Sequence, residues 1–187
     1  MNPTKKLAFE FFLCELMKWD IEIRELSDFN TDNDLSLLKS LKLLFFTVAV
    51  DANNDKSLLE EIFNNFHAMP LGHVELDIYN QYQNLKYFTL DRYSLKLKSM
   101  DFKSVLSTIN EYTPELTGHQ KEKIRNAVTI LKNKRKSLIL EKAFNLVELS
   151  HTWNSWISTF NSSYSKISFI KPELIKNDFQ NFEIQPF

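Results

Sequence analysis

Four histidines, one cysteine and one adjacent glutamate pair are the residues of this 187-residue chain that could carry acid–base, nucleophilic or metal chemistry. His67 and His73 are six apart, a separation that suits neither a common helical face nor a usual metal-ligand pair. His119 stands at a helix start, where a polar side chain is unremarkable. His151 falls on an apolar stripe near a helix C-terminus, where the expected state is an imidazole held by a hydrogen bond and favoured by the dipole. Cys14 lies in an apolar helical pattern and reads as a small buried residue, not a reactive thiol. Being alone, it also excludes an internal disulfide and any multi-cysteine metal site. Glu60 and Glu61 are neighbours that a helix points in different directions. Two glycines cannot build a phosphate-cradling loop, and the chain has neither a G-x-S-x-G elbow nor an H-E-x-x-H pair. The expectation is no catalytic set, no metal, no cofactor, and so no enzyme.

The elements that position these residues are expected to be helical. Chains built from tight hairpins need residues that tolerate positive φ, and two glycines in 187 residues supply few. With 43% hydrophobic residues the chain can bury one core, so a single mainly α domain over residues 1–187 is expected, with about six to eight helices. The net charge of −1 gives no global reason to expect nucleic acid as the partner. No basic-then-apolar leader and no apolar run of about 18 residues stands in the sequence, which implies a soluble protein of a reducing, cytoplasmic compartment without a membrane partner.

Taken in order, Phe12, Leu16, Trp19, Ile23 and Leu26 recur at steps of four and three and define an amphipathic helix over residues 4–26. Residues 20–34 carry six acidic side chains against Arg24, and residues 30–34 read as a loop ending in an N-cap. The next helix, residues 35–50, is apolar nearly all round and should be central. A shorter helix is expected over residues 57–65. Residues 87–100 alternate Tyr93, Leu95 and Leu97 with Ser94, Lys96 and Lys98, which allows a short β-element there. Asp101 can cap a helix with Phe102, Val105, Leu106 and Ile109 buried. Thr117 and Gln120 fit a capping box for the helix that follows, which buries Ile124, Val128 and Leu131. Between His119 and Lys136, seven lysines or arginines stand against Glu122, a local balance of +6. Ser137 can cap a further helix running through Phe144 to His151, and Pro172 can open a last short one.

The densest local information lies in residues 62–82. Met69-Pro70-Leu71-Gly72 places Pro where a type I or II turn wants a pre-set φ, and Gly where the chain must leave the turn without a Cβ clash. After it, Val74, Ile78, Tyr82 and Leu85 recur at helical spacing, with Glu75 and Asp77 in the first turn.

This segment resembles the signature of the Panacea domain family, the SocA-like antitoxin domain, which runs roughly F-x-A-W-P-Y-G-P-V with an aromatic in the following helix. Phe66, Ala68, Pro70, Gly72, Val74 and Tyr79 match. Met69, Leu71 and His73 stand where the family more often has Trp, Tyr and Pro. Residues 41–46, LKLLFF, are similar to the family's L-Q-K-L-L-Y-F helix. Residues 143–156 resemble its A-x-x-L-x-x-L-S-H segment followed by Trp, with Leu146, Leu149, Ser150, His151 and Trp156 matching.

The resemblance covers nearly the whole chain and implies a bacterial or phage antitoxin that binds and neutralises a cognate protein toxin encoded beside it. It also implies motif residues that build and orient the fold, leaving partner choice to variable surface. The candidates for that surface are the basic Lys132, Lys134, Arg135 and Lys136 and the acidic Asp28, Asp32 and Asp34. A proteolytic adaptor that delivers a toxin to a protease, or a phage accessory interaction protein, are the alternatives.

Overall fold

The computed structural model describes residues 2–26, 32–98, 101–111 and 114–183. Helix α1 (Pro3–Arg24) starts where the Asn2 side chain accepts the Lys5 N–H at 2.7 Å. Pro3 occupies the first turn, where a missing N–H costs nothing. The helix ends at Glu25, which turns left-handed (φ 53°) and donates its N–H to the Ile21 carbonyl. Phe9, Phe12, Leu13, Leu16 and Trp19 are all buried, so the expected stripe is here nearly a full circumference.

Helix α2 (Leu37–Asp51) is capped by Ser36, whose hydroxyl accepts the Lys39 N–H at 3.3 Å. The cap is therefore not in residues 30–34 as expected. Asp34 is drawn instead into ion pairs with Arg24 at 2.9 Å and Lys39 at 2.6 Å, two charges that outcompete a backbone amide for its carboxylate. Its central position is as the composition requires: Leu43, Leu44, Phe45, Phe46 and Val48 are fully buried. Helix α3 (Leu58–Glu61) is shorter than the expected 57–65.

The expected helix directly after Gly72 gives way to an antiparallel hairpin. Strand β1 (Phe66–Met69) pairs with β2 (Gly72–Glu75) in the register Phe66↔Glu75, His67↔Val74, Ala68↔His73, Met69↔Gly72. Val74 is thus a strand residue, and helix α4 (Leu76–Gln81) starts two residues later. Glu75 is its N-cap, accepting the Ile78 N–H at 2.9 Å. The short period-3.6 pattern was shared between a strand and a helix, and pairing with β1 decided the boundary.

A second hairpin, β3 (Phe88–Leu90) with β4 (Leu95–Leu97), occupies the stretch where a short β-element was allowed. Helix α5 (Phe102–Asn110) is capped by Asp101. Helix α6 (Gly118–Lys134) begins with the reciprocal Thr117–Gln120 box. Residues Lys136–Leu140 form a 3-10 turn, so Ser137 caps nothing, and α7 (Ala143–His151) starts after Lys142. After α8 (Asn154–Asn161), a two-residue strand β5 (Ser168–Phe169) joins the far side of β1, giving the order β2-β1-β5. Helix α9 (Pro172–Lys176) opens at Pro172 as expected and ends before Phe179.

The fold is mainly α, with nine α-helices among the described residues. Helices α1 and α2 both pack on α6, and α2 also packs on α7 and β2, so the hairpin is seated on the most buried helix. Among the described residues no helix is long and apolar enough to cross a membrane.

Candidate protein-binding site

The Met69–Gly72 turn is held by side chains from three other elements. Leu71 does not take a positive φ, which excludes turn types I′ and II, while Gly72 does, at φ +87°. A left-handed glycine after a two-residue non-primed turn lets the two strands meet without splaying. Space demands glycine as well. A Cβ there would stand 2.4 Å from Ser150 Oγ, 2.9 Å from Ser150 Cβ and 3.2 Å from Lys42 Nζ.

Ser150 Oγ accepts the His73 N–H at 3.0 Å and lies 2.8 Å from His73 Nδ1. Ser155 Oγ lies 2.9 Å from His73 Nε2, so both ring nitrogens are engaged. Phe45 stacks on the imidazole with centroids 3.6 Å apart and planes 9° apart. Trp156 Nε1 donates to the Met69 carbonyl at 2.9 Å. Lys42 Nζ donates to the His73 carbonyl. Motif residues some eighty positions apart thus close on one turn.

Burial dominates the electrostatics of this clamp. It holds the Lys42 ammonium down to about 7 and pushes His73 well below the ordinary histidine value, with the nearby Lys42 charge adding to the second effect. His73 is therefore a neutral ring that donates from one nitrogen and accepts at the other. A lysine near neutrality beside a histidine and two serines has the residue types of acid–base catalysis. All four are buried away from solvent, however, and their bonds go to the turn and to one another.

His151 ends α7, where the sequence placed it, and stacks on Trp156 with centroids 4.0 Å apart. Its Nε2 is buried and makes no hydrogen bond among the described residues. Burial lowers its pKa, opposed by the Glu148 carboxylate and the Pro70 carbonyl.

His67 and His73 are on neighbouring strands but on opposite faces, since His73 pairs with Ala68 and His67 with Val74. Among the described residues no cluster of His, Cys, Asp or Glu could hold a metal ion. Cys14 is fully buried, which pushes its thiol up to about 12.

The clamped turn forms one wall of an open groove of about 470 Å³. Leu37, Leu38 and Leu41 of α2 contribute one side, Met69, Pro70, Leu71 and Val74 the hairpin side, and Tyr79, Tyr82 and Arg92 the remainder. Leu71 is 47% exposed and Tyr79 42% exposed, so two large side chains meet solvent at its edge. Of the motif residues, Phe66, Ala68, Leu149 and Ser150 are buried in the support, while Pro70, Val74 and Tyr79 line the groove.

Several of the candidate charged residues are engaged within the chain. Lys132 pairs with Glu22, and Arg135 with Glu141 at 2.7 Å and with the Phe182 carbonyl at 2.7 Å. Lys134 sits 5.7 Å over the Phe182 ring, and the Lys136 carbonyl accepts from Trp19 Nε1 at 3.1 Å. At the basic end of α6, Lys132 thus reaches α1, while Arg135 and Lys134 turn to Glu141 and Phe182. Asp34 is taken up by Arg24 and Lys39, Asp32 is exposed, and Asp28 lies outside the described residues.

Sequence reasoning gave no site role to Lys42, Leu71, Arg92 or the Phe45–His73 stack. The available signal was Lys42 itself, a lone cation in the apolar run of residues 41–46. A Cβ-free contact and a groove between distant elements leave no periodic trace. No family model, curated protein or solved structure matches this chain.

Proposed function

We propose that this protein is an antitoxin of the Panacea-like kind, which binds a cognate protein toxin by direct contact and holds it inert. The observation that supports this reading is the open apolar groove at the turn that resembles the family signature, built from exposed Leu71 and Tyr79 on a rigidly clamped support. Preorganised apolar concavities with tyrosine at the edge bind proteins at low entropic cost. The partner would be encoded by a neighbouring gene. Lys132 and Glu22, already paired with each other, would contribute little.

The test is growth of a bacterial host expressing the neighbouring open reading frame, with and without this protein, followed by co-purification. Rescue with a stable complex, lost on Leu71→Glu at unchanged thermal stability, supports the reading. A harmless neighbour, or rescue that disappears only when the host's proteases are deleted, overturns direct neutralisation.

A further inference from the structure

The groove is lined by apolar side chains, and Arg92 is the one charged side chain among the described residues that line it. Its guanidinium lies 4.6 Å over the ring of the exposed Tyr93 and makes no ion pair among the described residues. The Oδ1 of the adjacent Asp91, which feels the Arg92 charge without forming an ion pair with it, is taken up by its own turn. It accepts the Tyr93 N–H at 2.7 Å and the Ser94 N–H at 3.0 Å, and these bonds hold the Asp91 pKa below the usual value. A guanidinium held over an aromatic ring as a cation–π partner still has N–H groups to offer an acceptor.

Resting on the reading of this groove as a protein-binding surface, we infer that its occupant is a short amphipathic segment of the partner. That segment carries two or three aliphatic or aromatic anchors for the space between Leu41 and Leu71, and a carboxylate that meets Arg92. An uncharged apolar segment would leave the guanidinium partnerless at the edge of a dry interface, and a basic one would be repelled by it. Arg92 is thereby the specificity-determining residue, and the leucines supply most of the affinity.

The probe is a phage-displayed library of random 16-residue peptides selected on the full chain. Enriched peptides should combine apolar anchors at i, i+3 or i+4 spacing with a recurrent Asp or Glu, and should bind Arg92→Glu at least tenfold more weakly. Replacing that acidic residue by Lys should restore binding to Arg92→Glu. Peptides with no acidic preference, equal affinity for Arg92→Glu, or no enrichment at all would overturn the inference. One-to-one binding of oleate that is abolished by Leu71→Glu, in the absence of peptide binding, would assign the groove to an acyl chain instead. Failure of the toxin reading is seen separately, as absence of growth rescue beside acidic peptides that still require Arg92. A toxin complex indifferent to Arg92→Glu sinks the inference and leaves the toxin reading intact.

Discussion

Gly72 and Ser150 are in such close approach that a methyl group on Gly72 would overlap the serine hydroxyl, at 2.4 Å. The contact joins the hairpin turn to α7 and leaves glycine as the residue that satisfies both the left-handed backbone and the space. Gly72→Ala should destabilise the protein by about 3 kcal/mol, the sum of a positive-φ penalty and a clash with backbone-anchored atoms. Denaturant unfolding measures it. In a Ser150→Gly background the same substitution should cost less, because the serine overlap is gone while the φ penalty and the tight approach to Lys42 Nζ remain. Equal costs in both backgrounds would show that the approach is looser than described.

The Trp156 indole caps the Met69 carbonyl at 2.9 Å while stacking on His151. Trp156→Phe keeps the stack and removes the donor, so stability should fall by about 1 kcal/mol. The loss should appear as faster amide exchange in residues 66–75 than in α1. Uniform acceleration across the chain would mean that the bond supports the whole core and not this turn.

Lys42 fixes the pH behaviour. Its folded pKa of about 7 lies below the unfolded value near 10.5, so between these limits the unfolded chain binds more protons and stability rises with pH. Below 7 the cost of burying the charge is fully present. His73, also depressed, acts in the same sense further down: stability falls as pH drops through the ordinary histidine range. Above about 9 the Cys14 thiol, kept protonated up to about 12, pulls the other way. Between pH 7 and 9 unfolding free energy should therefore climb by about 1 kcal/mol per pH unit, and Lys42→Met should flatten that slope. A slope that survives the substitution would place the titrating group elsewhere.

Lys5 forms a buried ion pair with Glu75 at 2.7 Å and a second with Asp77 at 2.6 Å, tying α1 to the start of α4. Burial raises the Glu75 pKa, with the Lys5 ammonium opposing that shift. Lys5→Met should cost about 3 kcal/mol near neutral pH, because it strands a buried carboxylate. The cost should shrink at acidic pH, where an unpaired Glu75 takes up a proton. A pH-independent loss would point to packing of the lysine stem instead.

Lys132 and Glu22 are on the surface and paired with each other. Lys132→Glu should leave the melting temperature unchanged within scatter and leave partner binding intact, in contrast to Leu71→Glu. Weakened binding in Lys132→Glu would return the basic end of α6 to the interface.

Much of the helical framework follows from local chemistry. The Asp101 cap, the Thr117–Gln120 box and the all-round apolar α2 act within a turn or two of the chain, where short-range hydrogen bonds and periodic burial suffice. The turn at Pro70 was legible for the same reason, since φ preferences are properties of single residues. Whether Val74 and His73 belonged to a strand or a helix was not, because both periods fit so short a run and the deciding hydrogen bonds come from β1. The same holds for β5, a strand of two residues that exists through its pairing with β1. The clamp of Ser150, Ser155, Trp156, Phe45 and Lys42 on the turn, and the groove bounded by Leu41, Leu71 and Arg92, are products of the tertiary structure alone. They arise where elements distant in sequence exclude water from one another, and desolvation, which sets both the Lys42 pKa and the apolarity of the groove, is a property of that enclosure and not of any residue in isolation.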